Sequence, residues 1–268
     1  MRQMRGISAE SLTQVLAAVD TVKDPGAVAP ELFAAVDAID GTPALRRILT
    51  DPSTEAGAKQ GLVKNVFGSK LSAAALTVLD AAVAGRWASS RDLTDGLETA
   101  GVAAQVAAAD AAGDLDALES QLFEIGRLVR SDDELHGVVS DRSVPADAKA
   151  SLLTTLLSGK VTAPALALAV QAVRARAGSF EKTLSTFGEV AAERRNRLVA
   201  EVRVAQALDA AQADRLAAAL GTKYGRDVHL NIIVDPSIVG GIAVSVGDEV
   251  VDGTMSNRLE TARRQLAG

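Results

Sequence analysis

Cysteine is absent from this 268-residue sequence, and histidine occurs only twice, as His136 and His229. Without cysteine the chain has no disulfide framework and no metal site or nucleophile built on a thiol. The two histidines lie far apart, and neither stands in a motif that would form a Ser-His-Asp arrangement. The residue inventory therefore predicts no catalytic residue, no bound metal and no cofactor.

Aromatic residues are also scarce, at 3% of the chain, although 48% of the residues are hydrophobic. The core must therefore consist mostly of alanine, leucine and valine. Alanine has the strongest intrinsic helix propensity, and small side chains let helices pack closely. This composition predicts a mainly α-helical protein.

The sequence lacks the features of nucleic-acid-binding and membrane-spanning proteins. Its net charge is -6 and its pI is about 5.1, whereas a nucleic-acid-binding surface is usually basic. No run of about 18 apolar residues is present, and no apolar stretch of a signal peptide follows the arginines of Met1–Ser8. We therefore expect a cytoplasmic protein that binds no nucleic acid and does not insert directly into a membrane.

The most informative feature is self-similarity at an offset of 90 residues. The segment Leu45–Arg86 aligns without a gap on Leu135–Arg176, and 14 of the 42 aligned positions are identical. Alanine accounts for five of these identities, so alanine-rich composition is an alternative explanation. The other identities argue against it, and they include Asp51/Asp141, Lys59/Lys149, Leu62/Leu152, Lys70/Lys160, Leu76/Leu166 and Arg86/Arg176.

The repeat predicts two tandem helical bundles, copy one over residues 1–98 and copy two over residues 99–201. We expect Ser90–Ala112 to be a helix that both copies share. Apolar residues at helical spacing around Leu62 recur around Leu152, which predicts equivalent faces in the two copies. The other predicted helices are Ser8–Lys23, Ala29–Asp40, Thr54–Phe67, Ser72–Ala84 and Ser179–Glu201.

After Glu201 the hydrophobic period changes, and residues 202–268 are predicted to form a small α/β module. In the alternating segment Val228–Val234, we expect Leu230, Ile232 and Val234 to face the core of the module. Gly247-Asp248 marks a hairpin turn. The predicted strands are Val202–Ala205, Val228–Val234, Gly241–Val246 and Glu249–Val251, and the predicted helices are Ala207–Tyr224 and Ser256–Leu266.

Three groups of residues have both a functional and a structural interpretation. Gly240, Gly241 and Gly247 do not form a phosphate-binding loop, since no Gly-Lys-Ser/Thr follows, and turn or close-packing roles suit them better. The acidic residues between 248 and 252 are either metal ligands or general acids, or solvated turn charges. The Arg194–Arg197 cluster either contacts phosphate or an acidic partner, or forms a solvated helix end.

The segment Asp235–Thr254 reads DPSIVGGIAVSVGDEVVDGT, and Arg258-Leu259 follows it. This pattern resembles the C-terminal signature of the ATP synthase delta family, whose mitochondrial relative is the oligomycin sensitivity-conferring protein. Residues from about 100 to 268 resemble a delta chain of ordinary length. Residues 1–99 are then a second copy of the helical domain, which resembles the long delta chains of actinobacteria.

The resemblance implies a non-catalytic subunit in the peripheral stalk of a proton-translocating rotary ATP synthase. In that role the helical domain holds an N-terminal helix of an alpha subunit on the catalytic head, and the C-terminal module binds the membrane-anchored b subunit. The chain is then a peripheral protein at the cytoplasmic face of the plasma membrane. The family's usual aromatic residue is missing from Met1–Asp20, which leaves open which copy binds the alpha subunit.

Candidate contacts for each partner combine the apolar patterns with the resemblance. We favour copy two for the alpha helix because it leads directly into the C-terminal module, and its candidate residues are Leu152, Leu156, Leu166 and Val170. Candidates for the b subunit surround the glycine pair, where a backbone can approach closely, and they are Ile238, Val239, Gly240, Gly241 and Leu259.

Two other functions stay open on the residues alone. One is a helical scaffold or adaptor outside ATP synthase, against which the delta-like signature at Asp235–Thr254 argues. The other is an enzyme with an unrecognised site in the C-terminal module, although no catalytic motif in the sequence supports this alternative.

Overall fold

A computed structural model describes residues 4–174, 178–196, 198–225, 228–235, 238, 240–246 and 249–252. The chain divides into two compact units, Met1–Arg194 and Arg195–Gly268, which we call unit one and unit two. Unit one is helical, whereas unit two combines a helix with a sheet. The predicted fold class, mainly α with a small α/β module, is confirmed.

The described helices of unit one are α1 (Ile7–Asp20), α2 (Pro25–Asp40), α3 (Pro43–Thr50), α4 (Ala56–Phe67), α5 (Ala73–Ala84), α6 (Ser90–Ala111), α7 (Leu115–Ser131), α8 (Asp133–Ser140), α9 (Ala146–Leu157), α10 (Ala163–Val173) and α11 (Phe180–Asn196). Several begin at side chains that cap a helix. Asp24, Ser72, Ser89 and Asp132 each accept a hydrogen bond from a backbone N–H of the helix that follows.

Helix starts recur at a spacing of 90 residues along the chain. Helix α2 begins at Pro25 and α7 at Leu115, and α3/α8, α4/α9, α5/α10 and α6/α11 are offset in the same way. The short helices α3 and α8 were not predicted, since the sequence analysis has only a break at Gly41–Pro43. Pro43 does not end a helix there but suits the first turn of α3. Superposition of the two helix sets, and division of the chain into domains 1–98, 99–201 and 202–268, stay predictions.

Helix α6 is buried along most of its 22 residues and contributes to two hydrophobic cores. Leu93 and Leu97 pack in the first core with residues of α1, α2, α4 and α5. Val102 and Val106 pack in the second core with residues of α7, α9, α10 and α11. The helix predicted at Ser90–Ala112 therefore closes both cores of unit one.

Polar contacts join the helices around the second core to those around the first. The buried Gln171 of α10 donates a hydrogen bond to the Glu98 carboxylate of α6 at 3.0 Å. Burial raises the pKa of Glu98, although the hydrogen bond from Gln171 opposes this shift. At the end of α10, Arg174 donates to Asp147 of α9 at 2.7 Å and to Asp37 of α2 at 3.3 Å.

The basic cluster at Arg194–Arg197 begins with a residue that is engaged within the chain. Arg194 donates to Asp110 of α6 at 2.8 Å and to Asp20 of α1 at 2.9 Å. Its guanidinium thus joins the C-terminal ends of two helices to α11, and it is neither a solvated charge nor a free phosphate ligand. Arg197 lies outside the described residues.

Unit two contains β1 (Leu198–Val204), α12 (Ala210–Tyr224), β2 (Val228–Val234), β3 (Ile242–Val246) and β4 (Glu249–Asp252). The strands form one sheet in the order β2-β1-β3-β4, with β1 and β2 parallel and the other pairs antiparallel. Helix α12 makes the crossover that a parallel pair requires. Asp209 and Gln212 form a capping box at its start, and Gly225 ends it in the left-handed conformation.

Two expectations for this region are wrong. The helix predicted to reach Glu201 ends at Asn196, because residues 198–204 pair as β1 with β2. Leu230 and Ile232 pack against the core of unit two as expected, but Val234 is 50% exposed. Val234 is the last residue of β2, where the chain leaves the sheet. The predicted turn at 247–248 and helix at 256–266 lie outside the described residues.

Gly96→Ala should destabilise unit one. A Cβ at Gly96 would stand 2.6 Å from Cη2 of Trp87, whose ring is nearly buried and whose Nε1 donates to the Ala82 carbonyl at 2.8 Å. Since the ring is held in place, we expect a loss of about 1–3 kcal/mol from overpacking. Thermal denaturation should show it as a decrease in Tm of about 2–4 °C per kcal/mol.

Gly61→Ala in α4 is the matched control, because an added Cβ there meets no heavy atom within 4 Å. This helix-interior change should raise stability by about 0.5–1 kcal/mol. Equal melting temperatures for the two variants would contradict the proposed close contact between α6 and Trp87.

Candidate partner-binding surface

The four residues predicted to hold an alpha-subunit helix lie on two packed helices of unit one. Leu152 and Leu156 belong to α9, and Leu166 and Val170 belong to α10. We call this set the α9/α10 face. All four side chains are half-buried, and Leu156 and Leu166 also pack against the second core. The structure therefore brings the predicted residues together on neighbouring helices.

The α9/α10 face is separate from the residues that close the core beneath it. Leu153 and Leu157 are 1% and 5% exposed, while Leu152 and Leu156 one position earlier retain solvent exposure. Covering the remaining exposed half of a leucine contributes about 1 kcal/mol. A partner helix that covers all four side chains therefore gains several such contributions to its binding free energy, and the core need not rearrange.

A second face has the same pattern of burial 90 residues earlier. It consists of Leu62 and Val66 of α4 and Leu76 and Asp80 of α5, and we call it the α4/α5 face. Residues 61–70 and 151–160 share one order of buried, half-buried and exposed positions. The two faces differ in chemical class at one of their four positions, where the α4/α5 face has Asp80 and the α9/α10 face has Val170.

Asp80 is an unusual residue for a half-buried position in a helix. Its Oδ1 atom is buried, and no residue in the described part of the chain donates a hydrogen bond to it. Burial raises the pKa of Asp80, while the charge of Lys64 on α4 opposes this shift. The sequence analysis did not single out Asp80, because an acid beside an alanine-rich stretch resembles an ordinary solvated charge.

Identical residues of the sequence repeat support the loops that lead into α4 and α9. Asp51 accepts hydrogen bonds from the Ser53 backbone and hydroxyl, which hold the pKa of Asp51 below its usual value. Lys59 is buried, and burial lowers its pKa. The buried Lys149 donates to the Val139 carbonyl at the end of α8, at 2.7 Å. These contacts fix the helices that carry the two faces.

Equivalent side chains of α2 and α7 fix the other helix of each face. The Glu31 carboxylate accepts a hydrogen bond from the Ser72 backbone N–H at 2.7 Å, at the start of α5. The Gln121 amide oxygen accepts from the backbone N–H and hydroxyl of Thr162 at 2.9 Å, at the start of α10. The two backbone donors are N–H groups at a helix N-terminus, which have no partner within the helix, so α5 and α10 begin at defined positions.

The candidate residues of unit two are only partly described. Ile238 is half-buried, and Gly240 and Gly241 have φ values of 74° and 89°, a conformation that favours glycine. Val239 and Leu259 lie outside the described residues. Sequence reasoning missed two neighbours, Ile233 and Val234 at the end of the edge strand β2, which are 39% and 50% exposed.

Phe123 of α7 is another exposed apolar residue that sequence reasoning left unassigned. Its side chain is 73% exposed, whereas Phe33, 90 residues earlier, packs against both cores. A Cβ at Gly101 of α6 would overlap the Phe33 ring, so a glycine is what lets that ring approach the helix. The two phenylalanines therefore differ in environment although their positions correspond in the sequence.

The described residues contain no group of side chains suited to hold a metal ion. No cluster of three or more His, Asp or Glu side chains with the spacing of a metal site occurs in the described ranges. A cavity of about 440 Å³ opens beside the α1–α2 connection, lined by Thr21, Val22, Lys23, Asp24, Ala27, Val28, Glu31, Ser72, Ala74 and Thr77. Within the same ranges, no helix is long and apolar enough to cross a bilayer.

Comparison with protein families gives a match over most of unit one's second half and all but the last two residues of unit two. Residues 102–266 match the family described as ATP synthase delta (OSCP) subunit. The match covers α7 to α10 and therefore includes the α9/α10 face, while α1 to α5 precede it.

Curated relatives match nearly the whole chain. The ATP synthase subunit delta of Parafrankia sp. (strain EAN1pec) is 42% identical over 98% of this chain and 99% of its own length. That of Thermobifida fusca (strain YX) is 40% identical over 99% of this chain and its whole length. That of Streptomyces coelicolor is 40% identical over the full length of both. A chain of the Toxoplasma gondii mitochondrial ATP synthase aligns at 21% identity with a TM-score of 0.27, which is too low to bear on the fold.

Asp80→Asn should stabilise unit one at neutral pH. Because the folded-state pKa of Asp80 is raised, the carboxylate opposes folding above that pKa, and this cost disappears as pH falls below the unfolded-state value. We expect a gain of less than about 1 kcal/mol at pH 7, measured by urea denaturation, and no gain at about pH 3.

Asp51→Asn is the control of opposite sign. The folded-state pKa of Asp51 is lowered, so its carboxylate contributes stability above the unfolded-state pKa and loses that contribution as pH falls through the folded-state value. Asp51→Asn should therefore lower stability slightly at neutral pH. A loss of stability for Asp80→Asn at pH 7 would contradict the unsatisfied state of that carboxylate.

Proposed function

Since this chain belongs to the ATP synthase delta (OSCP) subunit family, and is thus a non-catalytic stator subunit in the peripheral stalk of ATP synthase, we propose which surfaces it uses. The α9/α10 face binds the N-terminal helix of an alpha subunit of the catalytic head. Unit two binds the b subunit. In this way the chain joins the head to the membrane anchor, so that proton-driven rotation is coupled to ATP synthesis.

The observation that carries the alpha-subunit proposal is the half-burial of four apolar side chains on two packed helices. An amphipathic helix recognises such a surface through apolar residues at positions i, i+3, i+4 and i+7. Leu152 and Leu156 are four residues apart on α9, and Leu166 and Val170 are four residues apart on α10. Each pair therefore presents one side of a stripe that a third helix can cover.

Two further points support the α9/α10 face over the α4/α5 face. The family match covers residues 102–266 and therefore the helices that carry Leu156 and Leu166, but not α4 and α5. The α9/α10 face also lacks an acidic residue, so a purely apolar stripe can cover it without burying an unpaired charge.

A stator must hold its partners against the torque of the rotor and needs no chemistry of its own. Unit one suits this role because α6 belongs to both of its cores, and close-packed interiors deform little under load. Arg194 and Arg174 add ion pairs to Asp20 and Asp37, on helices that are distant in sequence. These features support static binding as the function of the helices, rather than catalysis or a general adaptor role.

For the b subunit we propose a contact on unit two around the glycine pair. Gly240 and Gly241 present backbone without a side chain, and the half-buried Ile238 lies close by in sequence. Val239 and Leu259 complete the proposed set from sequence alone. The exposed Ile233 and Val234 supply further apolar surface on the edge strand, where a partner finds open apolar area.

We also propose that the chain sits at the cytoplasmic face of the plasma membrane through its protein partners. Its net charge of -6 gives no attraction to an anionic lipid surface. Attachment through the b subunit then explains membrane association. The same net negative charge argues against nucleic acid as a partner.

Leu156→Asp should weaken binding of a peptide that corresponds to the alpha-subunit N-terminus. The substitution places an unpaired charge in the middle of the apolar α9/α10 face, which is costly once a partner covers it. We expect at least about a tenfold increase in Kd, or about 1.4 kcal/mol, in isothermal titration calorimetry with the full chain.

Val66→Asp is the matched control, because Val66 occupies the place on the α4/α5 face that corresponds to Leu156 and is also half-buried. It should leave the affinity for the alpha peptide unchanged. If Val66→Asp weakens binding and Leu156→Asp does not, the alpha helix belongs on the α4/α5 face instead.

Deletion of residues 195–268 should release the chain from the membrane fraction. The deletion removes the whole of unit two, including all of β1. A deletion that began at residue 202 would instead leave half of β1 without its partner strands. The truncated chain should retain alpha-subunit binding in pull-downs because unit one is intact. The measurement is cell fractionation in a strain that lacks the catalytic hexamer, where membrane association by the truncated chain would contradict the assignment of the b subunit to unit two.

A further inference from the structure

The single difference in chemical class between the two half-buried faces has a physical consequence for binding. On the α4/α5 face, Asp80 stands where the α9/α10 face has Val170, and the other three positions are apolar on both. All eight positions are half-buried. A partner that covers the α4/α5 face therefore removes the remaining exposed part of a carboxylate from water, which a partner on the α9/α10 face does not.

The buried oxygen of Asp80 lacks a hydrogen-bond donor among the described residues. Its Oδ1 has no donor in the part of the chain that the structure describes, and Lys64 acts on it as a charge without an ion pair being formed between them. Removing an unpaired carboxylate from water is strongly unfavourable. An opposite charge that donates to it offsets this cost and makes a charge-assisted hydrogen bond.

We propose that the α4/α5 face is a second helix-binding surface, and that it selects an amphipathic helix with a lysine or arginine at one end of its apolar stripe. The cationic head group pairs with the part of the Asp80 carboxylate that remains accessible on this half-buried residue, while the apolar residues of the same helix cover Leu62, Val66 and Leu76. The inference rests on the proposed use of the corresponding α9/α10 face for a helix.

The placement of Asp80 fixes where the cation must lie. Leu76 and Asp80 are one turn apart on α5, and Leu62 and Val66 are one turn apart on the neighbouring α4. The acid therefore stands at one end of a short apolar stripe rather than at its centre. A lysine or arginine at the end of the partner's stripe reaches it with the charge outward and its methylene chain on the apolar surface.

The difference also gives each face a means of rejecting the other's partner. A helix with a wholly apolar stripe leaves Asp80 buried and unpaired on the α4/α5 face. A helix with a cation in its stripe finds no acid at Val170 on the α9/α10 face. Specificity from such penalties is as effective as specificity from added attraction, so the chain can hold two different helices in defined places.

The test uses designed peptides of about 18 residues, long enough to form an amphipathic helix. One peptide has a leucine and alanine stripe, and two others carry a lysine at either end of that stripe in place of leucine. Binding is measured by fluorescence anisotropy to the full chain carrying Leu156→Asp, which disables the α9/α10 face. At least one lysine peptide should bind about tenfold more tightly than the leucine peptide, which corresponds to about 1.4 kcal/mol.

Two substitutions at Asp80 determine whether its charge is the cause. Asp80→Asn keeps the shape and removes the charge, and should abolish the preference for lysine. Asp80→Val reproduces the side chain at the corresponding position of the α9/α10 face and should make the leucine peptide the tighter binder. Asp80→Asn also serves in the chain without Leu156→Asp, so the result does not depend on the folding of that variant.

The reciprocal change is Val170→Asp, made together with Val66→Asp to disable the α4/α5 face. It should transfer the preference for lysine to the α9/α10 face. If the leucine peptide binds as tightly as both lysine peptides while Asp80 is intact, or if neither lysine peptide binds, the inference about the α4/α5 face is wrong. Loss of leucine-peptide binding on Leu156→Asp would at the same time uphold the α9/α10 face, so the two proposals fail separately.

Discussion

The burial of α6 between two hydrophobic cores is the constraint on which the rest of unit one depends. Leu97 belongs to one core and Val102 to the other, so neither group of neighbouring helices closes its core without this helix. At Gly96 and Gly101 the helix has no side chain, and the rings of Trp87 and Phe33 occupy the space. Because both cores share one element, the α4/α5 and α9/α10 faces belong to one compact unit.

This arrangement suits a stator, because a subunit that resists torque must not deform between its binding surfaces. In a chain of two independent bundles, each linker would be a place to bend, and relative motion is the usual expectation where interfaces are small. Here the shared helix replaces a linker, and Arg194 adds a contact from α11 to the ends of both α1 and α6. Binding strength is then limited by the contacts with each partner.

Much of the fold follows from local patterns, whereas the details of the faces depend on contacts distant in sequence. Alanine-rich composition and apolar spacing were sufficient to predict most helices, and the strand Val228–Val234 has its predicted bounds. The end of α11 was missed because Leu198 pairs with Val228 of another strand, which no local pattern records. Apolar spacing and the family resemblance selected Leu156 and Leu166, but the absence of a donor to Asp80 among the described residues depends on the packing of distant segments.

Two faces with one backbone geometry can be told apart only by the chemistry of their side chains. Leu62, Leu76, Leu152 and Leu166 are identical between the faces, so they give affinity for any amphipathic helix and no discrimination. Asp80 has no evident stabilising role in the fold, since its buried oxygen has no donor among the described residues and burial raises its pKa. A destabilising group persists as long as stability stays above the level that function requires, and it is commonly tolerated where it serves function. The proposed cationic partner therefore gives Asp80 a role in binding that the fold alone does not give it.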